Sequence, residues 1–251
     1  MLHREPVDSI LLLRLDHGKV HALDLELLRA LEAALDAEAQ AARAVVLTGT
    51  GTTFSAGVDL VRVLEGGRPY LEAFLPLFSR VLLRLFAFPR PVVVAINGHA
   101  LAGGYVLACA GDYRVMAAGG GRVGLPELAV GVPFPAAAVE IVRSVVPGSA
   151  GDRLLLLGRQ YEATDAAALG LVDELASPGA VVARAIEVAR ELAARPPDAF
   201  RLTKACLREP ALARVRAAEA GEAALLEVWA SESTLAAIRA YVDRLRRRAE
   251  R

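Results

Sequence analysis

Hydrophobic positions along the chain fall into two kinds of pattern. Continuous apolar runs, typical of strands buried on both faces, occupy positions 10–15, 44–48, 92–96 and 113–117. Between the runs, apolar residues recur at helical spacing, first at Leu27, Leu28, Leu31 and Leu35 and later at Leu71, Phe74, Leu75, Phe78, Leu82 and Leu85. Asp24 lies where it can cap the first helix, and Gly66-Gly67 predicts a loop before the second. Alternating strands and helices predict an α/β core whose functional groups lie on loops leaving strand ends.

The character of the chain changes beyond about residue 134. Helical patterns then dominate, at 134–146, 149–157, 180–194, 198–208 and 211–249. Pro196 and Pro197 interrupt them, because proline cannot continue a helix interior. We therefore predict a core domain at 1–196 and a C-terminal helical region at 197–251. Apolar residues of this region lie on more than one helical face, so it must pack on its own core or on another subunit.

Composition narrows the classes of protein that fit. The 251 residues are 55% hydrophobic, which predicts one sizeable core and argues against disorder. Charges balance at 29 basic and 29 acidic residues, so neither nucleic acid nor an anionic membrane is an expected partner. Apolar stretches are interrupted well before about 18 residues, so no membrane span is predicted. Cys109 and Cys206 lack metal-type spacing, and we expect buried free thiols in a cytoplasmic protein.

Two glycine-bearing segments follow predicted strands. Phe-Ser-Ala-Gly-Val-Asp occupies 54–59, and Asn-Gly-His-Ala-Leu-Ala-Gly-Gly occupies 97–104 before an apolar helical stretch. Such strand exits present unpaired backbone N–H groups, and the second adds the positive end of a helix. Each segment alone could be only a turn. Two together at this spacing indicate a site that holds a developing oxyanion between two N–H donors.

The same two segments closely resemble the crotonase family, the enoyl-CoA hydratases and isomerases. The likeness rests on Phe-Ser-Ala-Gly-x-Asp followed by Ile-Asn-Gly-x-Ala-x-Ala-Gly-Gly, and it extends over nearly the whole chain from about residue 7. It implies a spiral of β-β-α units and a C-terminal helical region that mediates assembly into a homotrimer or homohexamer. It also implies an acyl-CoA thioester substrate. Coenzyme A is then part of the substrate, and no metal or redox cofactor is implied.

The resemblance also assigns roles to individual residues. The backbone N–H groups of Val58 and Gly103 take the positions of the oxyanion donors. Glu127, in a Pro-Glu step within an apolar loop, takes the position of the catalytic base, and apolar surroundings raise a carboxyl pKa toward neutrality. Substrate and CoA contacts are expected at Lys19, Ala22, Ala56, Gly57, Asp59 and Gly104. Asp59 is also expected to cap the helix that follows it, and the helix at 69–88 with the loop before it is expected to shape the acyl pocket.

One departure from the family pattern bears on the reaction. Where hydratases carry a second glutamate, this chain has Val106. Hydration needs groups that deprotonate water and protonate carbon, whereas one carboxylate can move a proton from C2 to C4 of the same chain. The pattern therefore favours isomerisation of 3-enoyl-CoA to 2-enoyl-CoA. Two alternatives stay open: a hydratase or other crotonase-type lyase that replaces the missing acid, and a non-catalytic acyl-CoA-binding protein, which would have no need of Glu127.

Overall fold

The computed structural model describes residues 1–38, 41–146 and 148–249. Its strands are β1 (Leu2–Val7), β2 (Ile10–Leu15), β3 (Ala44–Gly49), β4 (Thr53–Ser55), β5 (Val92–Ile96), β6 (His99–Leu101), β7 (Tyr113–Ala117), β8 (Arg122–Gly124), β9 (Gln160–Glu162) and β10 (Glu174–Ala176). Its helices are α1 (Leu25–Glu38), α2 (Leu60–Phe86), α3 (Gly103–Cys109), α4 (Glu127–Val130), α5 (Ala136–Val145), α6 (Ser149–Leu157), α7 (Ala163–Ala168), α8 (Val181–Ala193), α9 (Pro197–Ala217), α10 (Glu222–Ala230) and α11 (Glu232–Ala249).

The strands form two sheets. The larger has the order β1-β2-β3-β5-β7-β10, and all its pairs are parallel except the β1–β2 hairpin. The smaller has the order β4-β6-β8-β9, with only β8 and β9 antiparallel. Three times in succession, a strand of the large sheet is followed by one of the small sheet and then by a helix, as in β3-β4-α2. The predicted α/β fold, a crotonase-like spiral of β-β-α units with C-terminal helices, is confirmed.

The four inner strands of the large sheet, β2, β3, β5 and β7, are buried on both faces, which explains why their sequences are continuous apolar runs. Helix α8 covers one face, where Ala185 and Val188 pack with Val46 and Val93. Helices α1, α2 and α3 contribute to the main core on the other face. At the start of α1, Asp24 Oδ1 accepts a hydrogen bond from the Leu27 N–H at 2.8 Å, which confirms the predicted cap.

The loop predicted at Gly66-Gly67 is wrong. Helix α2 already begins at Leu60 and continues through this pair with a kink at Gly67, whose φ of 54° and ψ of −145° are non-helical. Glycine adopts a positive φ without a Cβ penalty, so the helix can change direction at this single non-helical residue and then continue. The segment before the kink carries its own cap and a buried apolar residue, Val63, which stabilise it as helix.

The C-terminal helices pack on the preceding part of the chain. The continuous helical segment predicted at 211–249 is wrong, since α9 ends at Ala217 and a 3-10 turn at Glu219–Gly221 leads into α10 and α11. Helix α9 contacts α5, while α10 and α11 contact α2. The prediction that both thiols are buried holds for Cys109 but is wrong for the exposed Cys206. In the described parts of the chain, every helix falls short of the length or apolarity needed to cross a membrane.

Candidate active site

A cavity of about 420 Å³ lies where the two glycine-bearing segments meet α4 and the C-terminal helices. This volume is within the usual range of small-molecule sites, about 300–1,000 Å³. Most of the side chains in its wall are apolar. The cavity wall brings together five of the residues predicted for the site, namely Ala22, Ala56, Val58, Asp59 and Glu127.

The position of Val58 is fixed by a single backbone bridge to Leu23. The Leu23 N–H donates to Gly57 O at 2.8 Å, and the Asp59 N–H donates to Leu23 O at 3.0 Å. In a parallel bridge these two bonds flank the central residue, so the N–H of Val58 itself points away from Leu23. Among the described residues, this N–H has no hydrogen-bond acceptor.

Gly103 begins α3 directly behind the cavity wall. An ideal Cβ on Gly57 would lie 2.9 Å from Gly103 N and 2.7 Å from Ala102 Cβ, so the two segments are in direct contact. Gly57 also has a φ of +88°, which a side chain would strain. The N–H of Gly103, at the first position of a helix, likewise has no acceptor within the described chain. Two free backbone donors are thus held on adjacent segments.

Three of the predicted substrate contacts, Lys19, Gly57 and Gly104, lie outside the cavity wall, as does Gly103. A Cβ on Gly104 would lie 2.3 Å from Ser55 O, so this glycine permits close packing of the two segments. Lys19 is exposed in the turn that precedes Val20, which does line the cavity. Gly57 is buried beside Gly103, behind the wall that Val58 forms.

Glu127 is the buried carboxyl group of the cavity. It is the first residue of the four-residue helix α4, and only 8% of its surface is exposed. Its Oε2 atom has no hydrogen-bond partner within the described residues. Burial raises the pKa of Glu127 to about 8, because the charged form loses hydration and gains no compensating cation. A carboxyl group that titrates near neutral pH inside a ligand-sized cavity is suited to proton transfer.

The second carboxylate in the wall, Asp59, has a structural partner. Its Oδ1 accepts hydrogen bonds from the N–H groups of Val61 and Arg62, each at 3.0 Å. The predicted cap of α2 is therefore confirmed. Because Asp59 is engaged with the helix that follows Val58, Glu127 is the better candidate for acid–base chemistry.

Val106 is the fourth residue of α3 and is fully buried in the main core. It does not contribute to the cavity wall. The place at which a hydratase would carry its second glutamate is therefore filled by an apolar side chain that packs within the protein.

The C-terminal wall of the cavity was missed by the sequence analysis. It is formed by Trp229 from α10 and by Tyr241, Val242, Leu245 and Arg246 from α11. Apolar residues on several faces of this region indicated that it packs on something, but not on what. The expectation that the helix at 69–88 and the loop before it shape the pocket is not met for residues 69–88, since α2 contributes Leu60 and Val61 from before the kink.

Comparisons with known proteins agree with this architecture. Residues 5–249 match the family described as Enoyl-CoA hydratase/isomerase. A putative enoyl-CoA hydratase from Thermus thermophilus is 43% identical over 187 residues, which are 73% of this chain and 72% of that protein. The human mitochondrial delta3-delta2-enoyl-CoA isomerase has a TM-score of 0.93 at 26% identity over 98% of both chains.

A second solved structure extends the likeness to a bacterial protein. A Mycobacterium tuberculosis protein, described both as an enoyl-CoA isomerase and as a probable enoyl-CoA hydratase, has in the first of its structures a TM-score of 0.82 and 37% identity over 89% of this chain and 97% of its own. Names of both reactions occur among these relatives, so the names alone do not distinguish hydration from isomerisation. Since the family match covers almost the whole chain and the fold agrees, the chain belongs to the enoyl-CoA hydratase/isomerase family of the crotonase superfamily.

Proposed function

We propose that the protein shifts the double bond of 3-enoyl-CoA to give 2-enoyl-CoA, with Glu127 as the only proton carrier. The observation that carries this proposal is the buried Glu127 carboxyl group in an apolar cavity, with its Oε2 atom lacking a partner among the described residues. Val106 supports it, because a second carboxylate is absent from the position at which hydration would use one. The acyl-CoA substrate agrees with the family to which the chain belongs.

The proposed reaction needs one base and one oxyanion site. Glu127 removes a proton from C2, and the C2–H electron pair delocalises onto the thioester oxygen to form a dienolate. The same carboxyl group returns the proton to C4, which leaves the double bond between C2 and C3. The N–H groups of Val58 and Gly103 hold the thioester oxygen, and one such donor typically stabilises the transition state by about 3 kcal/mol.

Binding of the CoA part is proposed at the turn beside the cavity. Val20 and Ala22 line the cavity, and the exposed Lys19 precedes them, so its ammonium group can reach the nucleotide end of CoA. Arg246 is the cation within the described cavity wall and is a second candidate for a phosphate contact. We further propose a homotrimer or homohexamer that acts in the cytoplasm.

A hydratase is the alternative that the Thermus thermophilus relative favours by its name. It would need a group other than Glu127 to activate water. In the cavity wall as described, the remaining ionisable side chains are Asp59, Tyr241 and Arg246. Asp59 caps α2, and an arginine does not act as a base at neutral pH, so Tyr241 is the group that a hydratase mechanism would have to use.

We expect the unmodified protein to convert 3-hexenoyl-CoA to the conjugated 2-enoyl product at least about 100-fold faster than it hydrates crotonyl-CoA. Both reactions change the absorbance of the conjugated thioester, in opposite directions. Rapid crotonyl-CoA hydration would contradict the isomerase proposal. If neither substrate reacts but both bind, the non-catalytic acyl-CoA-binding alternative is correct.

A second experiment introduces the missing carboxylate with the variant Val106→Glu. Added hydration of crotonyl-CoA is expected to be small, and stability is expected to fall, because the new carboxylate is buried in the core. Val106→Gln is the control, since it has the same size and polarity but cannot carry a proton. Equal hydration by the two variants would show that a carboxylate at position 106 does not reach the substrate.

The pH dependence of the reaction tests the assigned base. Burial raises the pKa of Glu127 to about 8, and the base is the ionised form. We therefore expect kcat/KM for 3-hexenoyl-CoA to increase with pH and to level off above about pH 8. A profile that is flat from pH 6 to 9 would place the base on another residue.

A further inference from the structure

We infer that Trp229 forms the far end of the acyl pocket and thereby limits the length of the acyl chain that the protein accepts. The inference rests on the proposed function for placing an acyl chain in this cavity. The Trp229 side chain lies in the cavity wall and is only 3% exposed. It is the largest side chain of that wall, so its position has the strongest effect on the room available.

Trp229 is fixed to the segment that carries Glu127. The indole Nε1–H donates to Pro133 O at 3.0 Å. The neighbouring Val132, which also lines the cavity, donates its N–H to Glu127 O at 3.0 Å. Two hydrogen bonds and one peptide unit therefore connect the indole with the candidate base. Trp229 lies on the Glu127 side of the cavity, where the reacting carbons are placed in the proposed reaction.

A second set of contacts holds the helix that carries the indole. Helix α10 packs against α2, and Arg68 donates to both oxygens of Glu227, at 3.0 Å and 2.5 Å. Glu227 is two residues before Trp229 in the same helix. Since both the indole and its backbone are held, the ring cannot move aside for a longer ligand without breaking these contacts.

In the proposed binding mode, the acyl chain runs from the CoA end of the cavity past Glu127. The turn with Val20 and Ala22 lies at the proposed CoA end, and Glu127 acts at C2 and C4. We place the carbons beyond C4 along Val130 and Val132 towards Trp229, because these apolar side chains of the wall lie on, or are hydrogen-bonded to, the segment that follows Glu127. We expect short and medium chains to fit and long chains to be excluded.

The first test uses the protein's own fluorescence, because Trp229 is the single tryptophan of the chain. Saturated acyl-CoAs from butyryl-CoA to hexadecanoyl-CoA are titrated, and binding is measured in parallel by calorimetry. CoA alone should leave the emission unchanged, while the emission change should increase with chain length up to a limit at which affinity falls. Tight binding of every chain length with unchanged emission would overturn the inference. The readout requires no turnover, so it remains decisive if the isomerase proposal fails.

The second test changes the wall. Trp229→Leu is expected to raise the dodecanoyl-CoA to hexanoyl-CoA affinity ratio, and the matching kcat/KM ratio for the 3-enoyl substrates, by about 10-fold or more, since single methylene groups in apolar pockets change selectivity by 10- to 200-fold. Val228→Ala is the matched control, because Val228 is exposed and outside the cavity wall. Trp229→Phe keeps an aromatic ring for packing if the leucine variant folds poorly. Unchanged ratios in both Trp229 variants would overturn the inference.

Discussion

Glu127→Gln is expected to lower the turnover of 3-enoyl-CoA by at least about 100-fold, because general acid–base groups typically contribute 10²- to 10⁴-fold and no second carrier is proposed. The amide keeps the size of the side chain, so the cavity should retain its shape. Binding of saturated acyl-CoA, measured by calorimetry, should therefore stay within a few-fold of the parent value. A large kcat effect with preserved binding is the result that assigns chemistry rather than packing to this residue.

The matched control is Glu65→Gln, which makes the same chemical change at an exposed position. Unfolding provides a second check. Burial raises the pKa of Glu127 to about 8, so its ionised form destabilises the fold at higher pH, and glutamine does not ionise. The Glu127→Gln variant should thus unfold at no lower temperature than the parent at pH 9. Turnover within a few-fold of the parent would place the proton carrier elsewhere.

The second large effect is expected for Gly57→Ala. The new Cβ would meet Ala102 Cβ at 2.7 Å, Leu101 O at 2.8 Å and Gly103 N at 2.9 Å, while the backbone φ stays at +88°. The two glycine-bearing segments must then move apart, which would separate the N–H groups of Val58 and Gly103 that the proposed reaction uses as oxyanion donors. Since loss of one oxyanion donor typically costs 10²- to 10³-fold, turnover should fall by at least about 100-fold.

Gly119→Ala separates this clash from simple backbone strain. Gly119 has a similar φ of +74°, but a Cβ there would have no heavy atom within 4 Å. Both variants should lose stability in thermal unfolding, and only Gly57→Ala should lose turnover of the folded protein. Equal activity of the two variants would show that contact between the segments does not position the donors.

The sequence predicts those parts of the fold that have long apolar patterns. Strands β2, β3, β5 and β7 are each five or six residues long and buried, so they read as continuous apolar runs. Strands β4, β6, β8 and β9 have three residues each, which is too short for a pattern to develop. The small sheet is consequently absent from a pattern-based prediction, although its strands β4 and β6 belong to the two glycine-bearing segments.

The candidate site also contains some residues that the sequence identifies and others that it does not. Glu127 is assigned by its place in the family pattern, whereas glycine-bearing strand exits are a local property, so the segments with Gly57 and Gly103 can be found from sequence. The wall formed by Trp229 and Tyr241 cannot, because helical spacing shows that a face is covered but not which surface covers it. The kink at Gly67 was likewise not predicted, and the residues of α2 that line the cavity, Leu60 and Val61, lie before it.

The backbone bridge at Leu23 connects the turn proposed to bind the CoA part of the substrate with the segment that presents the Val58 N–H. Ala56 N–H donates to Val20 O at 2.9 Å, and the two bonds of Leu23 flank Val58. A ligand that binds the turn with Lys19 and Val20 therefore also restricts the segment that presents the Val58 N–H. In the proposed reaction, the binding energy of the CoA nucleotide thereby helps to orient the Val58 N–H that holds the thioester oxygen. An acyl thioester that lacks the nucleotide part of CoA would therefore have a lower kcat, in addition to weaker binding.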